Sequence, residues 1–161
     1  MKLFSYKVVY TTNGSYFHHV KEKTDYPLIE RTNPLTCISG NIMKCQRIIA
    51  NIFRKYLKPF EITDSQMSIM FMVTKAKEVN QKVLADRLYL EKSTVNRNIR
   101  RLIDRGYIMM DDQMMLHTTE EGKQVLEKII PHWEMAMQES KEVLGQEGLE
   151  AVSLLTERLS Q

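Results

Sequence analysis

Cysteine is scarce in this sequence, glycine and proline are few, and no apolar stretch is long. Cys37 and Cys45 are the two cysteines among 161 residues, too few for a disulfide framework and spaced for one face of a helix rather than a zinc knuckle. The four histidines, His18, His19, His117 and His132, offer no i, i+4 pair and no neighbouring cysteine, so no metal site is expected. Six glycines fall singly, which leaves no glycine-rich loop to cradle a phosphate, and no nucleophile motif accompanies them. Neither an enzyme nor a cofactor is expected. No apolar run approaches the roughly 18 residues that span a bilayer. The opening MKLFSYKVVYTTNG is broken by Ser5, Lys7 and Thr11, unlike the continuous apolar region of a secretory signal. The expectation is a cytoplasmic protein with no membrane partner.

What is present is an ordinary globular composition, 43% hydrophobic and 27% charged, enough for one domain or two small lobes. The net charge of +3 is unevenly placed: residues 1–60 carry ten Lys and Arg against three acids, and residues 119–161 carry four against nine. A basic half and an acidic half point to a polyanion on one side and solvent or protein on the other.

Residues 1–33 read as an N-terminal extension. In YKVVYTTNGSYFHHV, β-branched and aromatic residues flank Asn13-Gly14, a dipeptide suited to a tight hairpin turn. After Pro27 and Asn33-Pro34, a helical apolar pattern runs from about Leu35 to Leu57 through Ile38, Ile42, Ile49, Ile52, Phe53 and Tyr56, until Pro59 stops it. ITDSQMSIMFMVTKA predicts a second helix, with Thr63 or Asp64 capping its first amides. Asn80 caps a third, with Val83, Leu84 and Leu88 inward, and Leu90 leads through a tight connection into a fourth. Two short helices joined this closely read as a helix-turn-helix.

The fourth helix, at about 91–105, has two faces. Val95, Ile99, Leu102 and Ile103 stand at i, i+4, i+7 and i+8 and form an apolar stripe. Ser93, Thr94, Arg97, Arg100 and Arg101 collect opposite, with Asn96 flanking them. Arg105 near the negative helix end and Gly106 in a left-handed cap would close it. Tyr107–Met110 and Met114–Thr118 then pair as a hairpin about Asp111-Asp112-Gln113. A long helix follows from Thr119 to about Leu144, interrupted by Pro131, and a last one from Gln146 to Leu159 with Leu149, Val152, Leu155 and Leu159 inward. The fold class is mainly α with a small β-hairpin wing.

LADRLYLEKSTVNRNIRRLIDRGYI, preceded by ITDSQMSIM and followed after the hairpin by TEEGKQVLEKIIPHWE, resembles the MarR family of winged helix-turn-helix transcriptional regulators over roughly Leu35 to Leu159. Ser93-Thr94-Val95-Asn96-Arg97 is the core of the likeness. The resemblance implies a homodimer closed by long N- and C-terminal dimerisation helices (34–60 and 119–161) around a DNA-binding lobe (61–118), and two reader helices in successive major grooves. It further implies a repressor released by a small aromatic or lipophilic effector or by an oxidant. Double-stranded DNA is then the partner, as a near-palindromic operator. By the chemistry of base edges, Asn96 and Arg97 would read bases, while Lys92, Ser93, Thr94, Arg100 and Arg101 hold phosphates.

The sequence departs from the family at several points. The wing is short, has an acidic turn and lacks the family's arginine, so a protein-interaction module that has lost specific DNA binding is the alternative. Lys21 and Lys23 are candidates to replace the missing basic contact. Tyr89 stands where many relatives have glycine in a left-handed turn, which implies either a strained residue or a turn of different shape. Cys37 occupies about the place of the sensing cysteine in the hydroperoxide-responsive branch, making a thiol redox sensor an alternative mechanism. Cys45 is expected in the interior. Met67, Met70 and Met72 are read as core filling, or as the lining of an adaptable pocket.

Overall fold

The computed structural model describes residues 26–76 and 78–160. The hairpin expected about Asn13-Gly14, His18, His19, Lys21 and Lys23 lie outside the described residues. Among these, the order is α1 (Pro27–Arg31), α2 (Ile38–Leu57), α3 (Asp64–Lys75), α4 (Gln81–Leu88), α5 (Lys92–Asp104), β1 (Ile108–Met110), β2 (Leu116–Thr118) and α6 (Glu120–Leu159). It is a mainly helical winged helix with a two-stranded wing and long helices on either side.

The chain divides into two compact units between Gln46 and Arg47, within α2. In the first, Pro34 opens a short 3₁₀ turn, Pro34–Thr36, and the Asn33 side chain accepts the Leu35 amide at 3.0 Å. That turn is why α2 starts at Ile38 and not at Leu35. Cys37 stands just before the helix, and its Sγ accepts the Gly40 amide at 3.4 Å.

The second unit is organised by its core. Leu57, Met67, Ile69, Met70, Leu84, Val95, Ile99, Leu102, Ile108 and Ile129 are almost entirely removed from solvent, each such side chain contributing about 1.5 to 3 kcal/mol. α3 enters that core through a capping box in which the Gln66 amide donates to Thr63 Oγ1 at 3.3 Å and the Thr63 amide to Gln66 Oε1 at 3.0 Å. Thr63 is thus the cap, and Asp64 is the first helical residue. The reciprocal bonds satisfy two otherwise unpaired donors.

α6 starts at Thr119, whose Oγ1 accepts the Gly122 amide at 2.9 Å and donates to the Gly106 carbonyl. Pro131 does not interrupt it: the helix continues through, because one missing amide bond in a helix this long is outweighed by the packing of Leu126, Ile129 and Ala136. The break comes at Gly145, at φ 62° and ψ 179°, a conformation open to glycine alone. Beyond it, Val152, Leu155 and Leu159 do not face the core as expected; they are exposed, and Leu149 is half-buried. Ile38 and Ile42 are likewise exposed.

Candidate nucleic-acid interface

The Asn80 side chain accepts the Val83 amide at 3.0 Å and starts α4. Leu84 and Ala85 are its buried residues, with Val83 and Leu88 packed at the margin of the core. At its end the Ala85 carbonyl accepts the amides of Tyr89 and Leu90, the latter at 3.1 Å, and Tyr89 sits in the left-handed region at φ 51° and ψ 40°. The turn therefore keeps the shape that suits glycine, and the tyrosine bears a strain of about 1 kcal/mol.

That turn sets the start of α5. Val95, Ile99 and Leu102 are buried and Ile103 packs against the core, as their spacing predicts, and Asn98 is buried beside them. The other side of the helix presents Lys92, Ser93, Asn96, Arg97, Arg100 and Arg101 to solvent, with Thr94 half-exposed. All seven predicted residues fall on this side. Ser93, Asn96, Arg97, Arg100 and Arg101 share one groove, closed at its far end by Asp104. Arg97 Nη2 lies 3.5 Å from Thr94 Oγ1. Among the described residues, no ion pair engages Lys92, Arg97, Arg100 or Arg101, so the positive charge of the face is uncommitted.

Arg105 differs. Its guanidinium does not serve the end of α5; it donates to the carbonyls of Phe60 at 3.1 Å and Glu61 at 2.8 Å and to the Tyr107 hydroxyl at 3.1 Å. It ties α5 to the turn before α3. Gly106, at φ +71°, closes the helix as expected.

The wing pairs Ile108 with Thr118, Met109 with His117 and Met110 with Leu116. It is fastened by the Leu116 amide on the Val79 carbonyl at 2.8 Å and by the Thr74 and Thr118 hydroxyls at 2.8 Å. The acidic turn is not simply an exposed anionic tip. Asp111 Oδ1 accepts the amides of Gln113 at 2.9 Å and Met115 at 2.8 Å, and Oδ2 lies 2.7 Å from His117 Nε2. The hydrogen bond to His117, then the Met115 amide, hold the Asp111 carboxyl below the usual carboxylate range. Asp112 is left as the exposed acid of the turn.

The other predicted residues are more dispersed. Cys37 is exposed, and so is Cys45, contrary to the interior position expected for it, because the N-terminal half of α2 that carries it is exposed and the buried residues Ile52, Phe53 and Leu57 all lie in the other half. Met67 and Met70 fill the core; Met72 is half-buried against it and also lines a surface cleft with Ser68, Phe71, Lys75, Ala76 and Arg87. His132 stacks edge-on to Phe60 at 4.9 Å and Phe71 edge-on to Trp133 at 5.4 Å. Tyr89, Asp86 and Glu91 line a second cleft with Lys92 and Ser93. Among the described residues no group of three or more His, Cys, Asp or Glu side chains could hold a metal, and no helix is long and apolar enough to cross a membrane.

Comparison with known proteins places this geometry. Residues 60–109, from the turn before α3 to β1, match the MarR family profile. An HTH-type transcriptional regulator of Bacillus cereus is 28% identical over 98 residues, 58% of this chain and 66% of the relative, so the chain spans just under two thirds of its length. BpsR of Bordetella bronchiseptica, whose DNA binding is regulated by 6-hydroxynicotinic acid, superimposes with a TM-score of 0.72 at 15% identity, covering 80% of this chain and 97% of that one. The transcriptional repressor CouR, solved bound to p-coumaroyl-CoA, gives a TM-score of 0.70 at 16% identity, covering 78% and 92%. With a matching helix-turn-helix segment and the same winged fold around it, the chain is similar to the MarR family of helix-turn-helix transcriptional regulators over residues 60–109.

Proposed function

We propose that the protein is a homodimeric transcriptional repressor that binds a near-palindromic duplex DNA operator through α5, with Arg97 and Asn96 reading base edges and Lys92, Ser93, Thr94, Arg100 and Arg101 holding phosphates. One observation carries this reading: a helix anchored by Val95, Ile99 and Leu102 turns a face of free cations and hydrogen-bonding side chains to solvent. Arginine fits guanine and asparagine fits adenine by paired hydrogen bonds in the major groove, whereas a phosphate takes any donor that reaches it. The alternative of a protein-interaction module rested on the acidic wing. It is weakened by Asp111, which spends both carboxylate oxygens inside the turn.

A small aromatic acid is the effector class that suits the cleft of Phe71 and Met72, since Lys75 and Arg87 supply cations at its rim. BpsR, which responds to 6-hydroxynicotinic acid, is a relative of that behaviour. Release would require the effector to favour the arrangement of the two α5 helices that does not fit successive grooves. Redox control through Cys37 is a second route, favoured by the exposure of its thiol at the head of α2.

Fluorescence anisotropy on a duplex from the protein's own upstream region and on a scrambled duplex, across a salt series, tests the proposal. Tighter binding to the native duplex by a factor of about 1,000 or more is the expected result. Equal, weak binding to both would return the lead to the interaction module.

A further inference from the structure

Tyr89 is the residue whose presence the fold does least to explain. Its backbone is left-handed at φ 51°, a conformation that glycine takes without strain and an L side chain does not. The strain is imposed from both sides, because the Ala85 carbonyl receives the Tyr89 and Leu90 amides and Leu90 packs against the core. The side chain offers nothing in return among the described residues: Tyr89 is 77% exposed, and its hydroxyl has no partner among them. A strained, outward-facing aromatic residue in a functional turn is a place where strain is retained for a contact outside the molecule.

The position of the turn says what that contact is. Tyr89 shares a surface cleft with Lys92 and Ser93, two residues of the proposed DNA face, and with the carboxylates of Asp86 and Glu91. A cation at position 89 would be drawn to those carboxylates and away from DNA. A phenol is neutral, carries its donor at the end of a rigid six-membered ring, and donates well to an anionic oxygen.

We propose that Tyr89 is a DNA-backbone contact, its hydroxyl donating to a phosphate that flanks the base pairs read by α5. The inference rests on the proposed binding of duplex DNA through α5. It adds an anchor from outside the recognition helix, and so supplies part of the grip that a wing without arginine lacks.

Two substitutions in the full-length protein separate strain from contact. Tyr89→Phe keeps the ring and the strain but removes the donor; affinity should fall about tenfold, the worth of one hydrogen bond to a charged acceptor, and by the same factor on operator and scrambled duplexes. The salt dependence should be unchanged, since no cation is lost. Tyr89→Gly relieves the strain, so its melting temperature should rise by a few degrees while its affinity falls at least as far as that of Tyr89→Phe. Wild-type affinity in both variants overturns the inference, as does a loss confined to the operator, which would make Tyr89 a base reader. If the wild-type protein itself binds no duplex in this assay, it is the reading of α5 that fails.

Discussion

The proposed recognition face divides its labour between side chains that look alike in composition. Arg97 stands mid-face between Ser93 and Arg101, one turn from each, and it leans toward Thr94. Arg101 stands a further turn along, near Asp104. Arg97→Ala should therefore cost roughly 1 to 3 kcal/mol of operator binding and blur preference at one base pair, while Arg101→Ala should weaken all sequences alike and lower the salt slope by about one. Titrations on operator variants at two salt concentrations distinguish them; equal losses on operator and random DNA for both residues would sink the assignment. A different residue fixes the frame that holds the face. A Cβ at Gly122 would run into the Tyr107 carbonyl, the same carbonyl that takes the Thr119 amide at 3.1 Å. Backbone cannot retreat as a flexible side chain can, so Gly122→Ala should destabilise by about 1 to 3 kcal/mol, read as a lower melting temperature.

At the scale of the element, the wing is held by a carboxylate and not by its length. Asp111 fastens the turn through two amides and His117, and its folded pKa lies below the ordinary value of 3.8. A carboxyl with a depressed folded pKa contributes stability above its unfolded pKa and loses it as pH falls through the folded value. Asp111→Ala should accordingly melt below the wild type at neutral pH, and the gap should close as both are taken down through and below pH 3.8. A gap that persists unchanged in acid would mean that the turn is held by something other than the ionised carboxylate. This device was invisible in the sequence. Asp111 and Asp112 are two adjacent acids there, and only the path of the backbone through Met114 at φ +63° brings the amides of Gln113 and Met115 to one of them. The α5 stripe was legible because spacing alone puts Val95, Ile99 and Leu102 on one side of any helix. The cap of α3 was legible through its chemistry as Thr63 or Asp64, and the structure makes it Thr63. Pro131 misled because a proline's local cost is set against packing that no local pattern reveals.

The whole molecule poses the question that the single chain leaves open on its surface. Periodicity marks Val152, Leu155 and Leu159 as one apolar side of α6 but does not say what covers them, and among the described residues nothing does: Leu155 is 51% exposed and Leu159 71%. Leu35, Ile38 and Ile42 are exposed as well. Apolar surface on this scale is characteristic of an interface, and a near-palindromic operator calls for two α5 helices related by a two-fold axis. The cover is proposed to be a second copy of the chain. Sedimentation or light scattering should then give twice the 18.9 kDa of the chain. Leu155→Asp, placed on that side and away from α5, should shift the mass toward one copy, because a buried carboxylate without a partner is expensive to desolvate. The same variant should lose most of its affinity for the full operator while binding a half-site as the wild type does, since each α5 is untouched and only the linkage between them is broken. A wild-type protein that sediments as a single chain at micromolar concentration would refute the dimer, and a Leu155→Asp variant that stays dimeric would move the interface off this side of α6.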